Sequence, residues 1–403
     1  MTDDPDLALL TGPDVQDLLS AALATTDEEL VRWRVRQVDH RPGSSTTVSY
    51  AARVRTAAGE HDQVLGASTG LPGAAAAPGV LALSDGTTEV AVWRFPFDPA
   101  LPALVTAMDE AAVRTLVTTY GVAPGPLSLH LRSYRPRRRA VVEVRAPGCR
   151  LFLKVLRPKK VAELHERHRL LHGAGLPVPR SLGWSLDGLL VLEGRSGTSL
   201  RTRLREGGDP APDGAAVLAL LDGLPPETCA LPARRSWTDE VAHYAAVIAS
   251  ALPVEADRCR QLADRVLQVV GDVPATEPVH GDFYETQVLL DGGRISALLD
   301  VDTAGPGRRA DDLACLLAHV SVLAQLEPSH QASSMALGAR WLGAFEQRVD
   351  PVDLRARVAG VVVSLATGPH RVQEQDWQGA TTARLDLAQQ WLDSADRLRI
   401  PVL

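Results

Sequence analysis

A His-Gly-Asp triplet, His280 to Asp282, opens the stretch HGDFYETQVLL, and Gln287 follows the Asp by five residues. QVLLDGGRISALLD then reads as two short strands around Asp291-Gly292-Gly293, a turn signal. Asp300 closes the second strand, and Asp302 shares its face if the strand continues. One hairpin thus presents Asp282, Gln287 and Asp300 near a common end. Hard oxygen donors grouped in this way suit Mg2+, which takes one or two carboxylates together with substrate phosphates. A remaining carboxylate can orient a substrate hydroxyl. Taken singly, Asp282 and Asp300 also read as turn and strand-end residues making local hydrogen bonds. A lysine upstream shifts the balance. Lysine occurs only at Lys154, Lys159 and Lys160 in a chain that otherwise uses Arg, and Lys154 lies within the apolar run CRLFLKVL. One cation, one metal site and one hydroxyl-orienting carboxylate are the minimum set for phosphoryl transfer, where positioning and charge neutralisation dominate.

Several elements must position these groups. Residues 14–32 read as one or two short amphipathic helices, and RVRQVDHRPGSSTTVSYAARVRT as a β-hairpin broken at Pro-Gly. Gly66 to Gly79 is a loop by composition, ALSDGTTEVAVWRF a second hairpin, and RFPFDPALPAL a linker into a helix near 104–119. A weak internal repeat follows. His40-Arg41-Pro42 precedes one β-rich stretch, and Tyr134-Arg135-Pro136 precedes another that carries Lys154. This reads as two similar sheet units, only the second equipped for chemistry. The next helix runs to about Leu171 and stops at Gly173 or Gly175, with Pro177 and Pro179 beyond, and GLLVLEG is a short buried strand. From about 197 the pattern is mainly helical, with long helices expected at 236–270, 311–324, 331–347, 351–366 and 379–397.

Composition bounds the function. The 403 residues suffice for two or three lobes; 45% are apolar and 23% charged, as in globular enzymes. A net charge of -7 argues against nucleic acid as a partner and leaves a cationic substrate open. No basic and apolar leader and no uncharged apolar run of membrane-spanning length is present. Cys149, Cys229, Cys259 and Cys315 are far apart and form no CxxC, which suggests reduced thiols in the cytoplasm. The expected protein is a monomer or homodimer acting on a small molecule.

With these residues in view, HGDFYETQVLL followed by LLDVDTAGPGRRADDLA resembles the aminoglycoside phosphotransferase and choline kinase family. The family pattern is HGD, four residues, Asn, an apolar-Asp strand end and a DLA triplet opening a helix. The likeness covers about 130–403 and includes LFLKVL, GLPVP and VLEGRSGTSL. It implies an α+β, protein-kinase-like fold with a small β-rich N-lobe (126–196) and a larger helical C-lobe (197–403), preceded by an N-terminal α/β cap (1–125). It also implies ATP and Mg2+ as cofactors. Asp282 matches the catalytic Asp. Asp300 matches the residue that holds Mg2+ between the β- and γ-phosphates. Lys154 matches the lysine on the α/β-phosphates, braced by a glutamate. Glu163 best fits that glutamate by its distance to GLPVP, with Glu166 one turn away. The stretch around Leu192, Glu193 and Gly194 would hold adenine through backbone groups, and Asp312 would buttress the HGD loop.

The chain departs from the family pattern twice. Gln287 replaces the metal-binding Asn, offering the same amide oxygen on one more methylene. In this, and in the extra N-terminal segment, the chain is similar to maltokinases and actinobacterial glucosamine kinases. No glycine-rich loop precedes Lys154; Arg135-Pro136-Arg137-Arg138-Arg139 stands there, either covering ATP phosphates or forming a solvated hairpin. For the acceptor, the polar loop GPHRVQEQDWQGA between two helices of the helical lobe offers Glu374, Asp376 and Trp377. Acid plus one aromatic suits an amino sugar or quaternary amine; the same residues also cap helices and fill cores. Tyr284, Glu285 and Asp302 are further candidates. The expectation is a kinase acting on a hydroxyl of a sugar or amino sugar. An aminoglycoside antibiotic kinase is the nearest rival and a non-catalytic pseudokinase the alternative of another class. A third reading makes the first 125 residues a partner-docking module.

Overall fold

The computed structural model describes residues 4–71, 78–84, 86–122, 125–206 and 211–399. They form two compact units. One takes in the chain through His165 together with Ser181–Gly194 and Pro369–Trp377; the other takes in Glu166–Arg180, Arg195–Gly368 and the chain from Gln378.

The first unit is built on two sheets. Helices α1 (Pro5–Thr11) and α2 (Val15–Ala24) precede β1 (Glu29–Arg41), β2 (Ser45–Thr56), β3 (Gly59–Thr69), β4 (Val80–Ser84) and β5 (Glu89–Arg94). After α3 (Ala103–Met108) and α4 (Glu110–Thr118) come β6 (Ser128–Arg135), β7 (Arg139–Ala146), β8 (Cys149–Leu156), α5 (Pro158–Gly173), β9 (Ser181–Trp184) and β10 (Leu189–Glu193). The strand orders are β1-β2-β3-β5-β4 and β6-β7-β8-β10-β9, the same order twice, with antiparallel pairs throughout. The two xRP motifs of the sequence occupy the same place in each sheet, the turn after its first strand.

Each sheet has its own core. On the first, Leu7 and Leu10 of α1 and Leu19 and Leu23 of α2 pack with Val48, Tyr50 and Val54. The Tyr50 hydroxyl donates to the Leu10 carbonyl at 2.7 Å, so its one polar atom is satisfied. On the second, strand alternation separates two faces. Val142, Leu153 and Val191 pack with Leu104 of α3 and Val113 and Val117 of α4. Leu156, Leu190 and Leu192 face the other way, against Val161 and Leu164 of α5.

Local differences from the sequence expectations have identifiable causes. The helix expected over 14–32 stops at Ala24, and 29–32 starts β1, whose alternation continues to Arg41. Gly66–Thr69 belong to β3 rather than to a loop, and Gly66 lies opposite Trp93 of β5. A Cβ there would stand 2.3 Å from the Trp93 ring, so the glycine makes room for an indole. The helix near 104–119 breaks at Asp109, which accepts the Ala112 N–H at 2.7 Å as the cap of α4.

The second unit contains β11 (Thr198–Ser199), α6 (Leu200–Glu206), α7 (Gly214–Asp222), α8 (Val241–Ala251), α9 (Ala256–Val270) and β12 (Glu277–Val279). Then come β13 (Val288–Asp291), β14 (Arg294–Leu298), β15 (Gly305–Gly307), α10 (Arg309–Leu326), α11 (Gln331–Phe345), α12 (Pro351–Leu365), the short α13 (Gly368–Arg371) and α14 (Trp377–Arg399). The single helix expected over 236–270 is two, because Pro253 cannot continue α8. Helix α10 is buried along most of its length; Leu313, Leu316, Leu317 and Val320 join a core with α9 and α12. Small sheets β11-β13-β14 and β12-β15 carry the HGD and LLDVD segments. Among the described residues no helix is long and apolar enough to cross a membrane.

Candidate active site

Strand β12 delivers the chain to His280, and its pairing with β15 fixes the start of the loop. Asp312, in the first turn of α10, is fully buried and accepts the backbone N–H groups of His280 and Gly281, both at 2.7 Å. Burial pushes this carboxyl upward against the pull of His280, Arg309 and the two N–H donors. Gly281 sits at φ 81°, and a Cβ there would lie 2.6 Å from the Thr303 carbonyl oxygen. The Thr303 hydroxyl donates to the His280 carbonyl at 2.8 Å. On the ring, Nε2 donates to the Leu299 carbonyl at 2.8 Å, and the Asp282 N–H reaches Nδ1 at 3.3 Å. That pair of bonds selects the tautomer with its proton on Nε2. His280 is therefore a strut, and the half-buried Asp282 is the acid that the loop holds in place.

Gln287 joins the same frame. It is buried; its N–H donates to the Tyr284 carbonyl at 2.9 Å, and its carbonyl accepts the Leu299 N–H at 2.7 Å. The next residue, Asp300, has φ 54° and ψ 49°. Left-handed backbone at a residue other than Gly is sparsely populated and tends to be held at functional sites. The hairpin thus sets Gln287 and Asp300 one residue apart across a backbone bond. Asp302 corrects an expectation. Strand β14 ends at Leu298 and the chain turns at Asp300 into a 3-10 turn over Val301–Thr303, so the two acids share no strand face. The Asp302 carbonyl accepts Arg167 Nη1 at 2.6 Å.

Glu285, a candidate toward an acceptor, is buried. Its side chain is 1% exposed, with Oε1 3.3 Å from Arg201 Nη1 and Oε2 3.7 Å from His319 Nδ1. Tyr284 stacks on His319, ring centroids 4.1 Å apart. Burial pushes the Glu285 carboxyl up, Arg201 opposes it and the Asp282 charge adds to it. Burial, with Arg201 and Arg384 nearby, pushes His319 down to about 3. The short range from Tyr284 to His319, 35 positions on, gave no sequence signal.

In the first unit, Lys154 is buried on the face of β8 that also presents Phe152 and Leu156. It lies opposite Val141 of β7 and Leu190 of β10. On α5, Glu163 is 29% exposed and pairs with Lys160 at 3.3 Å. Glu166 is 60% exposed and pairs with Arg169 at 2.8 Å. Glu193 ends β10 on the surface opposite Leu151. The Gly194 N–H donates to the Arg150 carbonyl at 2.8 Å, where a Cβ would come within 2.6 Å of the same oxygen.

The segment with Glu374, Asp376 and Trp377 was expected in the helical lobe, yet Pro369–Trp377 packs with the first unit. His370 meets Trp377 edge to face at 4.7 Å, and burial with His40 nearby pushes His370 down to about 4. Asp376 is exposed; Glu374 and Trp377 are half-buried. The Arg135–Arg139 turn is half-buried as well, except Pro136, which is buried. It is fastened by the Arg137 N–H on Asp98 Oδ2 at 2.7 Å and by Arg137 Nη1 on the Ser68 hydroxyl at 2.6 Å. Asp98 itself escaped the sequence reading, because its role depends on a contact with residues near 137.

Among the described residues no group of three or more His, Cys, Asp or Glu could by itself cage a metal. Mg2+ in nucleotide sites needs no such cage, since phosphates and water complete its shell. One buried amide next to one strand-end carboxylate suits that chemistry.

A carboxylate loop so braced, with an amide and an acid at a hairpin end, and in the first unit a buried strand lysine, are residue types that phosphoryl transfer uses. Comparison of the sequence with family profiles agrees: residues 131–361 match the phosphotransferase enzyme family. The match spans more than half of the chain, and the chain belongs to that family. No curated protein matches it. Among solved structures, the chain is similar to a thermostable mutant of aminoglycoside phosphotransferase APH(4)-Ia in ternary complex with ADP and hygromycin B. The identity is 17% over 69% of this chain and 97% of that one, with a TM-score of 0.44. An aminoglycoside-3'-phosphotransferase of type VIII gives 22% over 60% and 95%, TM-score 0.42. Macrolide 2'-phosphotransferase MphH from Brachybacterium faecium gives 18% over 68% and 97%, TM-score 0.41.

Proposed function

We propose that the protein moves the γ-phosphate of Mg-ATP to a hydroxyl of a small polar molecule, a sugar or amino sugar. The observation that carries this reading is the Asp312-braced loop that leads into Asp282 and is tied through His280 to Leu299, the residue before Asp300 and the backbone partner of Gln287. Asp282 orients the acceptor hydroxyl and takes its proton. Asp300 and Gln287 hold Mg2+ against the phosphates, and Lys154 neutralises the α/β-phosphates. Glu163 is the better brace for Lys154, because its side chain is less exposed than that of Glu166. Glu193 and Gly194 supply backbone groups to adenine. The preceding residues, to about 125, act as a cap. The amide of Gln287 supports the sugar-kinase branch; aminoglycosides are the second acceptor class, supported by the antibiotic kinases among the similar structures.

The test is ADP release from Mg-ATP over a panel of glucosamine, glucose, maltose, choline and several aminoglycosides, with Asp282→Ala as control. Turnover that depends on one acceptor and drops by about 1,000-fold or more in the variant is expected. Tight ATP binding without turnover on any acceptor in the panel would count against catalysis on these classes. Activity that survives Asp282→Ala would remove Asp282 from its role.

A further inference from the structure

The turn between β6 and β7 is rich in arginine. Arg135, Arg137, Arg138 and Arg139 surround Pro136, and Arg157 Nε donates to the Arg137 carbonyl at 2.7 Å. Arg371 of α13 comes within electrostatic range of Arg135 and Arg138. Asp39 and Asp98 face this group. Asp39 is 2.5 Å from Arg138 Nε. Asp98 accepts the Arg137 N–H, the Tyr134 hydroxyl at 2.8 Å and the Ala100 N–H at 2.9 Å. Arg135 and Arg371 are left over. Among the described residues neither guanidinium makes a hydrogen bond or ion pair, and the Nε of each is buried. Like charges brought together out of water destabilise one another; burial, with Arg371, Arg138 and Arg139 nearby, pulls Arg135 down to about 10.

Strand register gives the direction in which this charge points. Directly opposed residues of antiparallel strands share a face. Arg135 is opposite Arg139, Arg139 is opposite Leu156, and two residues along Val141 is opposite Lys154. Arg135 therefore stands on the same face of the sheet as Lys154. Strand spacing and rise put their Cα atoms roughly 12 Å apart, within joint reach of a polyphosphate. A glycine-rich turn would offer its backbone N–H groups to phosphate. This turn cannot: Pro136 has none, the Arg137 N–H is on Asp98, and the Arg138 N–H is on the Arg135 carbonyl at 3.0 Å. Charge has to come from side chains, and the planar guanidinium matches phosphate oxygens in pairs.

We propose that Arg135 and Arg371 form an oxyanion site that takes a phosphate group at the turn end of the Lys154 face. The phosphate is either an outer phosphate of the nucleotide or one that arrives apart from it. Only the first source rests on the Mg-ATP reading.

The experiment is calorimetric titration of the full-length protein with inorganic phosphate, pyrophosphate and ADP. It compares the unaltered chain with Arg135→Met, Arg371→Met and the conservative Arg371→Lys. The expected result is a loss of about tenfold or more in pyrophosphate affinity in either Met variant, with Arg371→Lys between. Melting in phosphate-free buffer should be unchanged or raised in the Met variants, which separates a lost site from a lost fold. Competition between ADP and pyrophosphate assigns the nucleotide as source; simultaneous binding assigns a separate phosphate. Affinities for phosphate, pyrophosphate and ADP that stay the same in both Met variants overturn the site and leave the Mg-ATP reading standing. Pyrophosphate binding lost in the variants, with no ADP binding to the unaltered chain, keeps the site and sinks the Mg-ATP reading.

Discussion

Asp312 braces the loop that leads into Asp282. Its carboxylate holds two backbone N–H groups at 2.7 Å where water does not reach. Asp312→Ala leaves two buried donors without an acceptor, at a cost of about 2–6 kcal/mol at about 1–3 kcal/mol for each. Denaturant titration should show that loss. Because the loop also sets Asp282, kcat should fall further than KM rises, and an Asp312→Ala protein with normal kcat would show that Asp282 is positioned by other bonds. The role of Asp312 follows from the DLA triplet and is visible in sequence; the tautomer of His280, fixed by Leu299 and Asp282, is not.

At the scale of elements, the two sheets repeat one strand order but differ in the side chains they carry. In the second sheet a strand alternates between core and lysine. In the first, β3 gives up a side chain at Gly66 to admit the Trp93 ring, whose Nε1 donates to the Tyr134 hydroxyl at 3.0 Å. Gly66→Ala would set a Cβ 2.3 Å from that ring, and overpacking of this kind costs about 1–3 kcal/mol. Thermal melting of the variant should fall by several degrees; an unchanged midpoint would mean that Trp93 moves aside freely. The turn after β6 is the other point of exchange, where arginine stands in place of glycine.

For the molecule as a whole, acid should weaken the fold through its buried histidines. His319 is pushed down to about 3 and His370 to about 4, both by burial first. Unfolded, each titrates near about 6.5. As pH falls below that value the unfolded chain binds protons that the folded chain refuses, so stability declines on the way down to about 4 and about 3 in turn. The raised carboxyls of Glu285 and Asp312 act in the opposite sense: the folded chain holds their protons to higher pH, a contribution present in acid and lost as pH rises through their folded values. Urea titrations from neutral pH downward should show a shallower acid decline in His370→Asn and His319→Gln than in the unaltered chain. An identical decline in all three would assign acid sensitivity to other groups.

Local order was open to the sequence because its causes are local. Alternation in CRLFLKVL places Lys154 on one face, Asp291-Gly292-Gly293 makes the hairpin, and the spacing of Gln287 and Asp300 sets them one residue apart across its open end. The family match covers residues 131–361, the stretch that contains these motifs. What depends on chain segments far apart in sequence needed the tertiary structure. Asp300 leaves the strand in a left-handed turn, which separates Asp302 from it. Glu285 is buried beside Arg201 and His319, which lie on helices 84 and 34 positions away in sequence. Pro369–Trp377 crosses to the first unit and brings Arg371 to Arg135. Burial and pairing across such distances are set by packing, and no periodicity in the local sequence records them.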